Sequence, residues 1–600
     1  MTRLFDAVND VKLNTIVRNY YNILWYAAGV PINDGNFHPL SEKFSTLGAA
    51  QAVYPDATAL TESVAWHASN KAINSARTNF GGNVYTPQCP TSYKMSPAPR
   101  ELRVAMCDGR YSGSVMASNN CEINLIGDGR TMSRWRWTED YAGASALGYG
   151  GSYAVMCGDA PGDQVGQQDY TRYSNIVAHG QSAGVFRDMM IEGPSTTLLP
   201  SNTAGQQGCY MSGICWASRR QIDNFGISGF YAGVDVVGDH TDLNFYIRNC
   251  YYGIYMNAPS TTLYGDITVS RKPVIEACRM ACVGFHYAST MASWHWTGRA
   301  FLGGAPYIFF KEATPASPPL TPSVNFMTGT KFDSLFVESF GNAVIWDDNT
   351  RVNGTPASTL DGVTFDSLTL SQVSDAFYLT NRDRCFFQVG TINGGHMLDV
   401  TQIPNSLPAI PSGTGVWRPL FDITSASGIL GRFTLSGDIE TMLTRGATRA
   451  GMFRLATGTG REGRNFNIIH NKDSAGAGEW SGSFYVVPNG TTVTTKDAVA
   501  FKQGTSGAVT PAISTLTNGG FKGVAIRGGV GAASPLTFIP VAERGTNVLV
   551  NNNGTYASGN MVKISTTAGQ LTTATGTTDS KVVGEAASST GVTFAANGLV

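Results

Sequence analysis

The sequence is poor in charged side chains, and the few that it has balance one another. Asp, Glu, Lys and Arg make up 14% of its 600 residues, whereas about 25% is usual for soluble proteins. Lys and Arg number 42 against 43 for Asp and Glu, so the formal net charge is −1. Without excess positive charge the chain lacks the long-range attraction on which non-specific nucleic-acid binding depends. We therefore expect no nucleic-acid partner.

Long hydrophobic runs are also missing. No stretch reaches the roughly 18 consecutive apolar residues that a membrane-spanning helix needs. Near the N-terminus, Asp6 and Asp10 lie where a signal peptide would have its apolar core. We expect a protein that folds in the cytoplasm of the cell that makes it and has no membrane partner.

Cysteine pairs with zinc-site spacing are absent. The ten cysteines all precede residue 390, and none of them forms a CxxC motif. Asp239, His240 and Asp242 lie close together but lack a further pair of ligands, so we interpret them as caps of a turn. The sequence thus predicts free, buried thiols, no metal and no cofactor.

Glycine and short repeats dominate the middle of the chain. Glycine accounts for 69 of the 600 residues, where about 7% is usual, and after residue 87 short apolar alternations separated by Gly, Asn and Asp replace helical periodicity. Segments 229–236, 249–256 and 280–287 repeat at intervals of 20 and 31 residues. Segment 332–346 repeats as 365–379 at an offset of 33. Repeats of this length, built from short strands, predict a solenoid of the parallel β-helix type.

Helical patterns are confined to the N-terminal region. Apolar residues spaced by three and four from Asp10 to Tyr26 predict an amphipathic helix, and a second helix is predicted from Thr61 to Arg77, followed by a strand over 83–87. Beyond about residue 430 the chain is rich in Thr, Ser, Gly and Val, which favours separate β-domains. The predicted domains are 1–43, a helical segment; 44–430, the β-helix; 431–545, a β-sandwich-like domain; and 546–600, a small terminal β-domain.

Three N-terminal segments together resemble a known family. Segment 44–61, the helix through 72–76 and segment 81–87 are similar to the first part of the β-helix in bacteriophage tailspikes of the pectate-lyase-like superfamily. Leu125-Ile-Gly-Asp-Gly129 resembles the first-coil turn of that family. The resemblance covers roughly residues 44–430.

The resemblance implies both a fold and a function. The expected fold is all-β, a right-handed parallel β-helix with short N-terminal helices and C-terminal β-domains. The expected function is a homotrimeric virion spike that binds, and often depolymerises, a host surface polysaccharide. Residues 1–43 would anchor it to a tail, baseplate or neck protein. The alternatives are a non-catalytic receptor-binding or neck/collar fibre, and a polysaccharide lyase.

One candidate site is a column of polar side chains. If the apolar residues of the three similar segments point inward, then Asp235, Tyr255 and His286 share an outward column, which Tyr378 and Ile345 would extend. Tyr255 or His286 could act as the base of a lyase, with Tyr255 and Tyr378 also available to bind substrate. A solvated polar column is the alternative interpretation.

The preferred candidate site is a group of carboxylates. With Phe332, Leu335 and Val337 inward, Asp333 and Glu338 face outward, and Asp366 stacks over Asp333. Paired carboxylates are what glycoside hydrolysis requires. Asp347 and Asp348 could join them. The alternative is that these carboxylates cap backbone amides in turns.

Aromatic and arginine side chains supply the candidate binding surface. Sugars pack their C–H faces on rings, and guanidinium groups bind acidic sugars. The alternative for the tryptophans is coil packing or trimer contacts. The candidates are Trp294, Trp296, Trp135, Trp137, Arg248 and Arg279.

Overall fold

The chain divides into two compact units, residues 1–305 with 319–322 and residues 306–318 with 323–600. The structure is a computed structural model. It describes residues 20–79, 81–99, 102–103, 123–139, 153–157, 184–194, 211–216, 220–236, 241–256, 267–269, 273–286, 289–305, 307–312, 325–338, 343–347, 359–371, 375–379, 385–394, 421–423, 429–430, 433–437, 453–455, 466–472, 479–501, 509–511, 521–526, 528–531, 536–551, 554–574, 582–588 and 590–595.

The first unit is a parallel β-helix with three sheets. Sheet 1 contains Tyr20–Asn22, Gly82–Thr86, Ile123–Gly127, Gly184–Arg187 and Ile267–Val269. Sheet 2 contains Tyr93–Lys94, Arg134–Arg136, Met190–Glu192 and Val274–Glu276. Sheet 3 contains Leu102–Arg103, Tyr153–Cys157, Met211–Trp216, Ala232–Val236, Tyr252–Met256 and Ala281–Phe285. Three long strands, Arg220–Ser228, Thr241–Arg248 and His295–Gly303, take part in both sheet 1 and sheet 2. A further short strand is Met291–Ala292.

The core consists of apolar side chains stacked from coil to coil. In sheet 2 one interior row is fully buried along its whole length, and its members are consecutive strand partners about 4.8 Å apart. This row is Tyr93, Trp135, Ile191, Ile227, Ile247, Ile275 and Leu302. Every second residue of these strands therefore faces the core, and its neighbours face outward.

A helix covers the first coil. Val64–Thr78 begins after Ser63, whose side chain accepts the Trp66 backbone N–H at 3.3 Å, and it buries Trp66 and Ile73 completely. It contacts the strands Tyr20–Asn22 and Gly82–Thr86. Ahead of it lie two 3-10 turns and one short helix, Ile23–Tyr26, Leu40–Glu42 and Leu47–Val53.

The predicted N-terminal elements are partly corrected. The second helix is present but is capped by Ser63 instead of Thr61, and the predicted strand spans Gly82–Thr86. The predicted first helix is wrong at its end, because Tyr20–Asn22 forms a strand that pairs in parallel with 83–85. Pairing with the sheet buries Tyr21 and overrides the helical spacing. Residues 10–19 lie outside the described residues.

The second unit begins with parallel coils. One sheet contains Tyr307–Lys311, Ala343–Asp347, Asp375–Leu379, Phe421–Ile423 and Phe453–Leu455. Parallel pairing also joins Asn325–Thr328, Lys331–Glu338, Thr359–Ser371, Cys385–Gly394, Ile429–Leu430, Phe433–Gly437 and Phe466–Lys472. Because Leu435 still pairs in parallel with Ile468, the coils continue beyond the predicted boundary at residue 430.

An antiparallel domain completes the second unit. Its strands are Glu479–Val487, Thr492–Val493, Ala498–Phe501, Val509–Pro511, Phe521–Ala525, Gly529–Val530, Leu536–Leu549, Met561–Ile564, Leu571–Thr573, Val582–Ala586 and Gly591–Ala595. The strand Leu536–Leu549 runs through the boundary predicted at 545 and pairs with both Glu479–Val487 and Gly591–Ala595. The two predicted C-terminal domains are therefore joined by one continuous strand.

Four cysteines, Cys89, Cys250, Cys278 and Cys282, are free and buried, as expected. Among the helices in the described part of the chain, none is long and apolar enough to cross a membrane.

Candidate functional site

Two of the predicted carboxylates come together around a lysine. Phe332 pairs with Phe365, and their rings stack 4.7 Å apart in the core. The next residue on each strand, Asp333 and Asp366, therefore faces outward on adjacent coils. Lys331 Nζ lies 3.3 Å from Asp333 Oδ1 and 3.0 Å from Asp366 Oδ2. We call Lys331, Asp333 and Asp366 the aspartate–lysine cluster.

The cluster is open to solvent. The exposed fractions are 46% for Lys331, 35% for Asp333 and 50% for Asp366. Hydrogen bonds to Asp366 and then to Asp333 raise the pKa of Lys331 above its usual value. The ammonium group offsets the repulsion between the two carboxylates. One oxygen of each carboxylate contacts the Lys331 nitrogen. The distance between the two carboxyl groups is therefore compatible with the roughly 5 to 5.5 Å used by retaining glycosidases.

Glu338 lies on the same strand but away from the cluster. It faces outward, as expected, because Val337 is buried, and its partner on the next strand is Ser371. It lies five positions along the chain from Asp333, which is about 16 Å in an extended strand. Asp347 ends the neighbouring strand, next to Leu379. Asp348 lies outside the described residues.

The predicted column through Tyr255 has a different third member. Asp235 pairs with Tyr255 as expected, but Tyr255 pairs with Gly284 and not with His286. The true interval between the second and third segments is 29 residues, since Tyr252 pairs with Ala281, and not 31. His286 instead donates its backbone N–H to the Met256 carbonyl at 3.0 Å. A slip of two residues keeps each side chain on its predicted face, so the alternation pattern could not reveal it.

Tyr255 belongs to a packed group of tyrosines. Its ring stacks on that of Tyr252 at 4.8 Å, and Tyr231 contacts both rings edge to face. Gly284 leaves the space for this group, because a Cβ there would lie 2.4 Å from Tyr252 Cδ1. Tyr255 is only 4% exposed. This burial does not favour its predicted role in contacting substrate.

The tryptophan candidates lie in the core. Trp294 and Trp296 are 1% and 0% exposed, and their rings stack 6.2 Å apart. Trp135 and Trp137 are equally buried. This corrects the expectation that these indole rings face a ligand, and it agrees with the alternative of coil packing. Arg279 is also buried, at 4% exposed.

The extension of the column to Tyr378 and Ile345 is corrected as well. Tyr378 pairs with Trp346, while Ile345 pairs with Phe377, an offset of 32 instead of 33. The strand that ends at Glu338 is joined to Ala343–Asp347 by residues 339–342, whereas the strand that ends at Ser371 is joined to Asp375–Leu379 by residues 372–374. The second connection is one residue shorter, and this changes the offset from 33 to 32. Because of this shift of one residue, Tyr378 and Ile345 are not partners on adjacent strands, as the extended column requires.

Arg248, a predicted binding residue, lies in a second outward cluster. Tyr246 and Arg248 alternate with the buried Ile247, and the Tyr246 hydroxyl donates a hydrogen bond to Glu276 Oε1. The Arg130 guanidinium lies 4.5 Å from the centre of the Tyr246 ring, and that of Arg248 lies 5.7 Å from it. Burial and the bond to Glu276 raise the pKa of Tyr246, with Arg248 acting in the opposite direction.

Sequence reasoning missed Lys331, Tyr246, Glu276 and Arg130. The first two could have been found, because Lys331 is two residues from Asp333 and Tyr246 two from Arg248, the spacing of one strand face. Glu276 and Arg130 come from other coils and left no local signal. In the described part of the chain no three His, Cys, Asp or Glu side chains are grouped to hold a metal ion.

Comparisons with known proteins returned matches only among solved structures. No protein-family model matches the chain, and no curated protein does. The tailspike gp61 of Pseudomonas phage phi297 is 14% identical, with 87% of this chain and 96% of that chain covered and a TM-score of 0.29. The tailspike gp49 of Pseudomonas phage LKA1 is 13% identical, with the same coverage and a TM-score of 0.32. A tailspike of E. coli bacteriophage HK620 in complex with a pentasaccharide is 13% identical, with 80% and 90% covered and a TM-score of 0.28. The strand pairing, and not these scores, is the ground for the β-helix assigned here.

Proposed function

We propose that this protein is a tailspike that binds a bacterial surface polysaccharide, a capsule or lipopolysaccharide, and hydrolyses its glycosidic bonds. The observation that carries the proposal is the aspartate–lysine cluster. Two carboxylates on adjacent coils reach the same ammonium group on the solvent side of the strands. This is the pairing of acidic groups on which glycoside hydrolysis depends.

The chemistry assigned to the cluster uses both carboxyl groups. One of Asp333 and Asp366 protonates the oxygen of the leaving sugar, while the other attacks the anomeric carbon or activates a water molecule. Lys331 must turn away for a sugar to lie between them. Its 46% exposure leaves the long side chain room to do so. Glu338, further along the same strand, is assigned to hydrogen bonds with a neighbouring sugar.

The assembly and location follow the family resemblance of the N-terminal segments. We assign a homotrimer, attached to the virion through residues 1–43 on a tail, baseplate or neck protein. The protein would be made in the host cytoplasm and act at the bacterial cell surface. A solenoid joins its repeats only along the axis and leaves the outward sides of its coils available to a polymer.

A second function is favoured by one observation. Lys331 Nζ contacts both carboxylates, and it occupies the position that a glycosidic oxygen or a water molecule would need. If the lysine stays there, the cluster is a surface ion pair without catalysis. The protein would then be a receptor-binding or neck/collar fibre.

The test is a series of amide variants assayed on extracted surface polysaccharide. Asp333→Asn and Asp366→Asn should each lower the rate of chain shortening by about 100- to 10,000-fold, the usual share of a general acid or base. Polysaccharide binding should persist in both. Glu338→Gln should mainly raise KM. Polymer size is followed by size-exclusion chromatography, and binding by interferometry.

The control is Glu585→Gln, which removes an exposed carboxylate in the antiparallel domain. It should leave the rate unchanged. Full cleavage by both aspartate variants would exclude the assigned site. Binding without shortening by the unmodified protein would establish the fibre, and shortening with new ultraviolet absorbance from unsaturated sugar ends would establish a lyase.

A further inference from the structure

Arg130, Tyr246, Arg248 and Glu276 meet on the outward side of sheet 2 in the first unit. Gly226, Tyr246 and Val274 are partners on successive strands, and Ser228, Arg248 and Glu276 are partners two residues further on. The buried row Ile227, Ile247 and Ile275 lies between these two rows. Both rows therefore face outward.

A glycine makes room for the arginine that comes from another coil. A Cβ at Gly226 would lie 2.9 Å from Arg130 Cγ and 3.0 Å from its Cδ. The Arg130 side chain therefore lies against the Gly226 backbone, and this places its guanidinium 4.5 Å from the centre of the Tyr246 ring. The ring positions two guanidinium groups, since that of Arg248 lies 5.7 Å away.

The carboxylates nearby are already engaged. Glu276 accepts a hydrogen bond from the Tyr246 hydroxyl, and Glu192 is paired with Arg134. Among the residues that the structure describes, neither Arg130 nor Arg248 forms an ion pair. Arg248 is exposed, while Arg130 and Tyr246 are half-buried. Two oriented guanidinium groups are thus left facing outward with one carboxylate beside them.

We propose that Arg130, Tyr246 and Arg248 form a subsite for a carboxylate-bearing sugar, so that the polysaccharide bound by this protein is acidic. The subsite rests on the proposed function and names its substrate class. A guanidinium group presents two parallel N–H donors that match a carboxylate, and such charged pairs are about twice as strong as neutral hydrogen bonds. A neutral sugar would offer the two guanidinium groups no carboxylate of its own.

The experiment uses the full-length protein and an array of purified bacterial capsular and O-antigen polysaccharides. Each polymer that contains uronic acid is printed beside its carboxyl-reduced form, and neutral polymers are included. The protein should bind an acidic polymer and lose at least about tenfold in affinity for the reduced form. Binding should also weaken as salt is raised, because the arginines are near the surface.

Three variants locate the effect. Arg248→Gln should lower affinity for the acidic polymer about tenfold and leave affinity for the reduced polymer unchanged. Gly226→Ala should have a similar effect without any change of charge, because the added methyl group displaces Arg130. Arg187→Gln removes the same charge from sheet 1, where Arg187 is 50% exposed, and should bind as the unmodified protein does. Thermal unfolding of each variant confirms that it is folded.

The outcomes separate this inference from the proposed function. Binding to neutral polymers alone, or equal binding to native and carboxyl-reduced polymers, would overturn the acidic subsite while the polysaccharide-binding function stands. Unchanged affinity in folded Arg248→Gln would also overturn it. Binding to no polymer on the array would count against the proposed function itself.

Discussion

Single side chains near the N-terminus couple protonation to folding. His38 is 9% exposed and lies between two carboxylates, with Nε2 3.0 Å from Asp34 Oδ1 and Nδ1 2.8 Å from Glu42 Oε2. Burial acts to lower the pKa of His38, but the bonds to Asp34 and Glu42 outweigh it and raise the pKa above 6.5. The Asn36 backbone N–H, and then His38, lower the pKa of Asp34 from 3.8 to about 2.

These two shifts predict opposite pH dependences. The raised pKa of His38 gives stability that is complete below about pH 6.5 and is lost as the pH rises through the folded-state value. The lowered pKa of Asp34 gives stability that is present above pH 3.8 and is lost as the pH falls towards 2. The thermal unfolding midpoint of the unmodified protein should therefore exceed that of His38→Gln more at pH 5.5 than at pH 8.5. In an Asp34→Asn background, which removes one partner of His38, the pH dependence of the His38→Gln effect should be smaller. A difference in unfolding midpoint that grows with pH would refute the raised pKa of His38.

The helix Val64–Thr78 is the element that begins the β-helix. Its N-terminus is buried, because Ser63 and Trp66 are both 0% exposed. The Ser63 hydroxyl accepts the Trp66 N–H at 3.3 Å and donates to the Lys94 carbonyl. One side chain thus satisfies both the buried N–H of Trp66 and the carbonyl of Lys94.

Removal of this cap should loosen the helix. We expect Ser63→Ala to cost about 1 to 2 kcal/mol, since it leaves the buried Trp66 N–H and the Lys94 carbonyl without this partner. Hydrogen exchange followed by mass spectrometry should show faster exchange in peptides from residues 64–78. Thr46→Ala is the matched control, because Thr46 caps the exposed start of Leu47–Val53 through Ala49 N–H at 3.2 Å. If Ser63→Ala and Thr46→Ala lowered the free energy of unfolding equally, burial of the Ser63 cap would be unimportant.

At the scale of the whole molecule, the proposed assembly is a trimer. The coils stack through buried apolar rows, and each coil stabilises only its neighbours along the axis. The number of three chains is our proposal from the family resemblance of the N-terminal segments.

The solution mass tests this assembly. Sedimentation velocity on the full-length protein should give three times the mass of the chain, unchanged on dilution through the micromolar range. The same measurement on Arg187→Gln, a surface variant, should give an identical mass. A species with the mass of one chain, or of two, would contradict the proposed trimer.

The sequence by itself determined the class of fold and the outward face of the candidate carboxylates Asp333, Asp366 and Glu338. Phe332, Leu335 and Val337 are apolar and were assigned to the core, so their neighbours Asp333 and Glu338, and Asp366 at the repeat offset from Asp333, were assigned outward, where the structure has them. The offset of 33 between Phe332 and Phe365 was also correct, because both strands have the same local pattern.

Only the tertiary structure decided which residues are neighbours across coils. Lengths of the connections set the register, and a slip of two residues replaced His286 by Gly284 beside Tyr255, while a slip of one placed Tyr378 beside Trp346. Burial of Trp294 could not be predicted either, because the same spacing describes an indole ring inside a coil and one outside it. The cluster of Arg130 with Tyr246 joins residues far apart in the chain, and no local pattern encodes the packing that brings them together.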